Sequence, residues 1–528
     1  MDEKQSKDVD LIICARCALL MDAADTRLEE AAIAVEGSVI VDIAKKDEIL
    51  SRYRAPKIID RANMLAMPGL VNTHTHAAMT CFRGIADDLE LMDWLNNYIF
   101  PAEAKNVTPR LAYDGSLLAC AEMIKSGTTT FCDMYIFEQE TARAASKAGM
   151  RCLVGEVLFD FPSPNCKSPA EGLAYTRMLA ERWRDDPLVG IIVEPHSLYT
   201  CSPSVVREAK AIADEYGLLL GIHLLENRAE RGQLEEKLGK SPVTFLQEIG
   251  CLDKNLLAFH CVYLSPEEID LFAEHGCKVS HNPASNMKLA SGVAPVVRLR
   301  SLGVHVGLGT DGQASNNDQD MFEEMRLAAF LPKGTMGDPT LLPARDVFAM
   351  ATIEGARAVH LDHLIGSLEV GKRADLTVVD MKAPHLNPRY QLSPAHIYSH
   401  LVYAAKASDV CHVMVDGQWL LRDGQYLTID VPLVIEKATE FAARINTFIS
   451  QREQSLLDKL LAVSDLDMQQ SLQESFEVQV KVEVDDLRPL EELLHQAPFE
   501  IIRRSVRQQF DTYFLFDQGK MGGYVRYR

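Results

Sequence analysis

Positive charge and long apolar runs are both scarce in this sequence of 528 residues. Lys and Arg number 54 against 75 Asp and Glu, so the formal net charge is −21. This excess of acidic residues argues against nucleic acid or an anionic membrane as a main partner, because both are negatively charged themselves. No uninterrupted apolar stretch reaches about 18 residues, and the charged segment 1–10 lacks the apolar core of a signal peptide. We therefore expect a cytoplasmic protein without a transmembrane helix.

A paired cysteine framework is also missing. The 12 cysteines are scattered, and several, such as Cys132 and Cys261, lie within apolar segments that look like strands. Buried free thiols in a reducing compartment fit this distribution best. Cys14 and Cys17 form one CxxC without a second pair, so we assign no metal or redox role to them.

Two β-rich flanks surround a middle of different character. Residues 9–62 and 365–428 alternate short apolar runs with turns, which is typical of small antiparallel sheets. We expect the two flanks, 1–62 and 365–430, to pair in space as one discontinuous β-sandwich. A helical pattern with a linker follows over 431–470, and 471–528 changes style again as an appended, partial α+β tail.

The middle, 63–364, repeats a strand followed by an amphipathic helix. Eight candidate strands occur, among them TTTFCDMY, LLLGIHLLE, LLAFHCV and HVGLGTDG. Helical stretches such as PSVVREAKAIADEYG and SPEEIDLFAEHG lie between most of them. Eight such units, with right-handed crossovers and helices outside, predict an α/β protein with a (β/α)8 TIM barrel.

Polar side chains fall at or just after the ends of these candidate strands. They are His74, His76, Asp133, Glu156, His196, His223, Glu226, His260, His281 and Asp311. In a barrel the carboxyl ends of the strands form one face, which is where active sites are built. Residues far apart in the sequence should therefore meet in one pocket.

Four of these residues form a set that suits a divalent metal ion. His74 and His76 share one face of a strand because side chains of equal parity point the same way. With His223 and Asp311 they supply three imidazoles and a carboxylate, as Zn²⁺ or Fe²⁺ prefers. The end of the fourth strand, EPHSLY, carries no lysine that could bridge two metals, so we expect one ion per subunit, Zn²⁺ in preference to Fe²⁺.

The same set predicts hydrolytic chemistry. A bound metal would lower the pKa of a water molecule toward about 7 and so provide hydroxide at neutral pH. Asp311 is placed to accept the proton of that water, and His260 to orient the hydroxide. Glu226, three residues after His223, could donate a proton to a ring nitrogen of the substrate. Each residue alone is more often structural, but all of them at successive strand ends favour a metal-dependent hydrolase.

The segments PGLVNTHTH, HLLE, AFHCV, SHNPASNMKL and LGTDGQASNN resemble motifs of the amidohydrolase superfamily. More closely, they resemble the group of 5-methylthioadenosine/S-adenosylhomocysteine deaminases and its chlorohydrolase-like neighbours. The resemblance covers about residues 9–445. It implies a barrel with a β-sandwich, and hydrolytic removal of the amino group from an adenine ring with release of ammonia.

The resemblance also implies residue roles. His74, His76, His223 and Asp311 match metal ligands, and Glu226 and His260 match catalytic proton carriers. Further substrate contacts are implied at the positions Trp94, for stacking on the base, Glu103, for the ribose hydroxyls, and His196.

One position departs from the family pattern. Family members that accept the amino-acid tail of S-adenosylhomocysteine carry an arginine where this chain has Glu156. An acidic side chain beside that tail would repel its carboxylate. Methylthioadenosine, adenosine or 5′-deoxyadenosine therefore fits at least as well.

The tail segment SFEVQVKVEV resembles the ExExK signature of the CYTH, or triphosphate tunnel, family. Gln479 replaces the middle glutamate between Glu477 and Lys481, and the segment corresponds to about the first third of such a tunnel. We expect no phosphatase activity from it.

The sequence thus predicts a metal-dependent deaminase of adenosine-type nucleosides, in which a metal-bound hydroxide attacks the ring carbon that carries the amine. Two alternatives stay open. One is an amidohydrolase of another ring, such as guanine, a pterin or a chlorotriazine; the other is a non-enzymatic binding protein. The expected partner is a small purine nucleoside, with neither nucleic acid nor membrane, and homo-oligomerisation is compatible with the sequence.

Overall fold

We describe the protein from a computed structural model, in which residues 6–89, 91–389, 396–464, 512–515 and 524–527 are described. The chain divides into two compact units, Met1–Ala442 and Ala443–Arg528. The second unit contains the end of the long last helix and one antiparallel pair of strands. Most of the predicted tail, including the CYTH-like segment 475–484, lies outside the described residues. The domain boundaries drawn from the sequence stay a prediction.

The strands are numbered in chain order. They are β1 Lys7–Asp8, β2 Leu11–Leu19, β3 Arg27–Glu36, β4 Val39–Lys45, β5 Tyr53–Arg54, β6 Lys57–Pro68, β7 Leu70–Thr75, β8 Thr128–Tyr135, β9 Arg151–Leu158, β10 Val189–Ile191, β11 Glu194–Pro195, β12 Leu220–Leu224, β13 Leu256–His260, β14 Lys278–His281, β15 His305–Leu308, β16 Leu376–Asp380, β17 Val410–Val415, β18 Gln418–Arg422, β19 Gln425–Tyr426, β20 Thr512–Leu515 and β21 Tyr524–Tyr527.

The α-helices are numbered in the same way. They are α1 Lys46–Arg52, α2 Leu91–Trp94, α3 Phe100–Asn106, α4 Pro109–Lys125, α5 Glu138–Ala148, α6 Pro169–Arg182, α7 Pro203–Tyr216, α8 Arg228–Leu238, α9 Pro242–Glu248, α10 Pro266–His275, α11 Pro283–Lys288, α12 Val296–Ser301, α13 Met321–Met336, α14 Ala344–Met350, α15 Ile353–Ala358, α16 His396–Ser399 and α17 Val431–Ser464. None of the described helices is long and apolar enough to cross a membrane.

Strands β7 to β15 form the predicted barrel. Their order is β10-β9-β8-β7-β15-β14-β13-β12, and every pairing between them is parallel. The predicted fourth strand is split into β10 and β11, which both pair with β9. Parallel bridges from Val193 to Leu220 and from Ser197 to His223 join this segment to β12 and close the cylinder. The predicted fold class is confirmed.

The outer helices begin and end with the local signals that the sequence carries. Ser265 caps the N-terminus of helix α10. Its side chain accepts from the backbone N–H of Glu268, and the Glu268 carboxylate accepts from the backbone N–H of Ser265. The helix ends at Gly276, which adopts a left-handed conformation. The amphipathic stretch predicted before Gly217 forms α7, which also ends at a glycine in the left-handed conformation but has no side-chain capping hydrogen bond at its N-cap, Ser202. The βα repeat is therefore encoded locally.

The two β-rich flanks form a single mixed sheet of eight strands, in the order β19-β18-β17-β16-β6-β2-β3-β4. The antiparallel pairing of β6 with β16 joins the N-terminal and C-terminal flanks. The sheet is not purely antiparallel as the N-terminal pattern suggested, because β2 and β6 run parallel. The long strand β6 leads directly into barrel strand β7 through Gly69, where a Cβ atom would lie 2.0 Å from the Thr129 hydroxyl.

A buried ion pair connects the barrel to this sheet. Arg151, at the start of β9, donates from Nε and Nη2 to the carboxylate of Asp375 at 2.9 and 3.2 Å. Both side chains are at least 96% buried, since Arg151 is 4% exposed and Asp375 is 1% exposed. Asp375 also accepts from the backbone of Asp416 at 2.7 Å. Removal of the Asp375 carboxylate would leave the buried Arg151 guanidinium and the backbone N–H of Asp416 without this acceptor.

We expect Asp375→Ala to lower the free energy of unfolding by about 3–5 kcal/mol, the usual cost of breaking one side of a buried ion pair. Urea denaturation followed by circular dichroism measures this change. Glu215→Ala is the matched control, because Glu215 pairs with Arg177 while both are exposed, and such pairs contribute less than about 1 kcal/mol. Equal effects of the two substitutions would contradict the structural role given to Asp375.

Candidate active site

The carboxyl ends of the barrel strands enclose a cavity that collects most of the predicted site residues. His223 lies in β12, His260 ends β13, and His76 and Asp311 follow β7 and β15. The predicted residues in its lining are His76, Trp94, Glu103, His196, His223, Glu226, His260 and Asp311. His74 is fully buried behind this wall, with its ring centroid 4.8 Å from that of His76.

The predicted metal ligands fall into two groups that share His74. His74, His76 and Asp311 have ligand atoms within 4.8 Å of one another, and so do His74, His223 and His260. The Nε2 atoms of His74 and His223 are 3.2 Å apart. Asp311 Oδ1 lies 3.1 Å from His76 Nε2 and 3.5 Å from His74 Nε2. Ligands at about 2.0–2.1 Å from a tetrahedral Zn²⁺ would be separated by about 3.3 Å, so these separations fit such an ion. The donor set of imidazole nitrogen and carboxylate oxygen fits as well.

Hydrogen bonds orient two of the imidazoles. His223 Nδ1 lies 2.9 Å from the carbonyl oxygen of His196, and His76 Nδ1 contacts the carbonyl oxygen of Met134. A carbonyl oxygen only accepts, so each Nδ1 carries the hydrogen and each Nε2 presents a lone pair to the centre. The tautomer that a metal ligand needs is therefore fixed by the backbone.

Burial sets the charge of most of these rings. It lowers the pKa of His74 and of His196 to about 3 and that of His223 well below its usual range. Neutral imidazoles are the form that binds a cation. His76 differs, because burial would lower its pKa but the adjacent Asp311 carboxylate raises it to about 9. A metal ion that binds there must displace this proton.

The backbone is strained at two of the functional residues. His260 and Asp311 have φ values of +67° and +63°, in the left-handed region that residues other than glycine rarely adopt. The neighbouring strand end needs Gly309, since a Cβ atom there would lie 2.5 Å from Asn282 Oδ1 and 2.9 Å from the Cβ of His74. The motif LGTDG therefore lets Asp311 approach the histidines closely.

Glu226 and His260 face each other across the cavity, with His260 Nε2 4.0 Å from Glu226 Oε2 and 3.9 Å from Asp311 Oδ2. Glu230 holds the chain at Glu226 by accepting from its backbone N–H at 2.7 Å. His260 Nδ1 lies 2.8 Å from Asn286 Oδ1, so its Nε2 is free to accept a proton. These two predicted proton carriers are brought together beside the metal ligands.

The cavity lining also contains the residues predicted to contact a nucleoside. Trp94 is 4% exposed, and its indole Nε1 has no hydrogen-bond partner among the described residues. Glu103 is 7% exposed, and burial raises the pKa of its carboxyl to about 7. His196 also lines the cavity, with its ring centroid 4.7 Å from that of His223. Both a flat apolar surface and a buried hydrogen-bonding carboxyl are thus present.

Comparison with protein families identifies the family of this chain. The model of the amidohydrolase family matches residues 65–420, which spans the barrel and most of the C-terminal flank. The chain belongs to the amidohydrolase family. The metal-ligand geometry and the family together support a metal cofactor in this amidohydrolase.

Similar proteins match up to about five-sixths of this amidohydrolase. A protein of Syntrophus aciditrophicus named 5-methylthioadenosine/S-adenosylhomocysteine deaminase 1 is 54% identical over 84% of this chain and 99% of its own. The 5′-deoxyadenosine deaminase of Methanothermobacter thermautotrophicus is 46% identical over 78% of this chain and 95% of its own. The solved structure of an adenosine deaminase from Xanthomonas campestris with bound zinc is 37% identical, with a TM-score of 0.82, and covers 84% of this chain and 100% of its own.

Glu156 lies outside the cavity lining, as do Asp133 and His281, which were also expected in the pocket. It is fully buried at the end of β9 and is not among the residues that line the cavity. Its carboxylate accepts from the backbone of Glu138, at 3.0 Å, and from the Asn165 side chain, at 2.9 Å. Glu156 therefore caps helix α5 and holds the following loop, and the structure does not support its expected contact with a substrate tail.

Three supporting residues of this amidohydrolase were not singled out in the sequence. Asn286 orients His260, Ser285 donates to Asp311 Oδ2 at 2.6 Å, and Tyr135 donates to Glu103 Oε1 at 2.7 Å. Asn286 and Ser285 lie in the quoted motif SHNPASNMKL, and Tyr135 is the last residue of β8. The motif and the strand end carried a signal, but the partners of these residues are set by the tertiary fold.

We expect His223→Ala to weaken metal binding at least tenfold, because it removes one of four converging ligand atoms. Elemental analysis of the purified protein measures metal per chain. His363→Ala is the control, since His363 is exposed and distant in sequence from the site. A full complement of metal in the His223 variant would contradict its assignment as a ligand.

Proposed function

We propose that this amidohydrolase is a metal-dependent deaminase of adenosine-type nucleosides with one Zn²⁺ per subunit. The observation that carries the proposal is one cavity that combines two kinds of group. Three imidazoles and the Asp311 carboxylate lie close together beside Glu226 and His260. The same lining contains Trp94 and Glu103, which offer a ring surface and a carboxyl. The names of the relatives, a 5-methylthioadenosine/S-adenosylhomocysteine deaminase and a 5′-deoxyadenosine deaminase, support the same substrate class.

The metal would be held by His74, His76, His223 and Asp311. When bound, such an ion supplies hydroxide at neutral pH by lowering the pKa of water. Asp311 has two oxygens with different surroundings: Oδ1 faces His76, whereas Oδ2 accepts from Ser285 and lies 3.9 Å from His260. Asp311 and His260 are therefore placed to take the proton from the attacking water and to orient it toward the ring carbon that carries the amine.

Glu226 is the proton donor to the ring. Burial raises the pKa of its carboxyl above the ordinary value, which favours the protonated form that a general acid needs. Protonation of a ring nitrogen lets the adjacent carbon accept the new C–O bond. The C–N bond then breaks, and the amino group leaves as ammonia.

Trp94 and Glu103 bind the parts of the nucleoside that do not react. The indole ring of Trp94 offers a stacking surface for the purine. Tyr135 occupies Glu103 Oε1, and the acceptor capacity that the carboxylate keeps is available to a ribose hydroxyl. His196 lines the cavity beside His223, with Nδ1 2.8 Å from Thr200 Oγ1, and contacts the substrate through the other side of its ring.

A panel of ring substrates tests the proposed function. The metal-replete protein should release ammonia from methylthioadenosine, 5′-deoxyadenosine and adenosine, and convert the adenine absorbance to that of hypoxanthine. Guanine, a pterin and a chlorotriazine should react at least about 100-fold more slowly in kcat/KM, because they offer no ribose to Glu103. Turnover of one of those rings, with none of any adenine nucleoside, would contradict the proposal.

We expect Glu226→Gln to retain its metal and to lose turnover by about 100-fold or more, because glutamine cannot donate the proton. Ammonia release and elemental analysis, performed on the same preparation, separate the two effects. Glu236→Gln, in the helix α8 that follows Glu226, is the control, since Glu236 is exposed. Wild-type turnover by the Glu226 variant would remove its role as the acid.

Other parts of the proposal rest on sequence alone. We interpret 471–528 as the beginning of a CYTH-like unit without phosphatase activity. A cytoplasmic location, a lack of nucleic-acid and membrane partners, and a capacity for homo-oligomerisation also stay predictions.

A further inference from the structure

Three phenylalanines form a cluster at the mouth of the cavity. Phe100 and Phe159 line the cavity, and Phe161 packs beside them with 40% of its surface exposed. The rings of Phe159 and Phe161 stack, with centroids 4.6 Å apart. The ring of Phe100 lies 6.3 Å from Phe159 and 5.9 Å from Phe161 in edge-to-face contacts. We call this set the mouth cluster.

Ring contacts connect the mouth cluster to the reacting end of the cavity. The centroid of His196 is 4.7 Å from that of the metal-site residue His223 and 5.0 Å from that of Phe159. Phe159 then contacts Phe161, which is the exposed end of the series. A substrate that reaches the metal ligands with its base therefore extends its far end along this wall toward the solvent.

The mouth cluster also lies beside the proposed ribose site. Phe100 and Glu103 are three residues apart in α3, so their side chains are neighbours on one face of the helix. Glu103 is the carboxyl that we assign to the ribose hydroxyls. The group attached to the 5′ carbon of the ribose is the part of the nucleoside that continues beyond this point.

The described lining of the cavity contains no lysine and no arginine. Its charged groups, apart from the histidines, are the carboxyls Glu103, Glu226 and Asp311. At the mouth, Asp160 stands between Phe159 and Phe161 in the sequence, and its side chain accepts from the Ser202 hydroxyl. A carboxylate or phosphate on the 5′ group would find no cation in this lining.

We propose that the mouth cluster binds the 5′ substituent of the nucleoside and selects neutral, apolar substituents over anionic or zwitterionic ones. This assignment rests on the proposed deaminase function and adds its specificity. Burial of a methylthio group against three phenyl rings is favourable, whereas burial of an amino-acid tail leaves its carboxylate without a counter-ion. The loss of water around that carboxylate is the physical basis of the discrimination.

The test compares kcat/KM for methylthioadenosine, adenosine and S-adenosylhomocysteine in metal-replete protein. The wild type should prefer methylthioadenosine to S-adenosylhomocysteine by at least about tenfold. Phe161→Ala should lower kcat/KM for methylthioadenosine about three- to tenfold and change that for adenosine less than about twofold, because adenosine has only a hydroxyl at this position. Phe161→Arg should raise the ratio of S-adenosylhomocysteine to methylthioadenosine about tenfold by supplying a cation.

Phe330→Ala is the matched control, because Phe330 is a half-exposed phenylalanine that stacks on Tyr403 in a different part of the barrel. The Phe330 variant should leave kcat/KM for all three nucleosides unchanged. Equal losses for all three substrates in both Phe161 variants would show that Phe161 only supports the fold and would overturn the assignment. Wild-type deamination with no preference between the substrates would overturn the assignment alone, whereas no turnover of any nucleoside would overturn the proposed function with it.

Discussion

Ring nitrogens and a carboxylate oxygen lie close together around His74: its Nε2 is 3.2 Å from His223 Nε2 and 3.5 Å from Asp311 Oδ1, which is itself 3.1 Å from His76 Nε2. Lone pairs held this close repel each other unless a proton or a cation lies between them. The parallel strands hold them there nonetheless, because His223 is fixed by a backbone carbonyl and Asp311 by the backbone of His74, whose oxygen accepts at 2.9 Å. The rest of the site is arranged around this point. A metal cation is the natural means of balancing it.

The barrel and the close approach of His74, His76 and Asp311 were predictable because both obey short-range rules. The parity of a strand places His74 and His76 on one face, and the βα repeat places the other ligands at the same end of the barrel. Helix limits such as Ser265 and Gly276 are equally local. The parallel pairing of β2 with β6 could not be predicted in this way, since it depends on how two distant flanks meet.

The environment of Glu156 differs from the one that the sequence suggested, and the reason is physical. Glu156 stands at a strand end like the ligands, but strand residues alternate in direction, and its carboxylate reaches the N-terminus of α5. The supporting residues Asn286 and Tyr135 are the opposite case, because they belong to the site although the sequence did not single them out. Nothing in their neighbourhood in the sequence names His260 or Glu103 as a partner, because those contacts join segments that are 26 and 32 residues apart. The strand pattern predicts candidate ligands, whereas the residues that orient His260 and Glu103 can be identified only from the coordinates.

The strained backbone shows how the fold serves this site. Left-handed φ values at His260 and Asp311 cost about 1–3 kcal/mol each, and such conformations persist only where the surroundings enforce them. Here the enforcement is visible, since the backbone next to His260 donates from Cys261 to Leu224 at 3.1 Å and Asp311 is tied to His74. Neighbouring strands therefore hold both residues in place across the barrel. A side chain on a relaxed loop could adopt the same position, but it would have to be ordered anew for each substrate. The barrel supplies that order in advance, at the expense of some stability. It thereby gathers three carboxyl groups and five histidines (the three predicted ligands, His196 and His260) in one region of the barrel mouth.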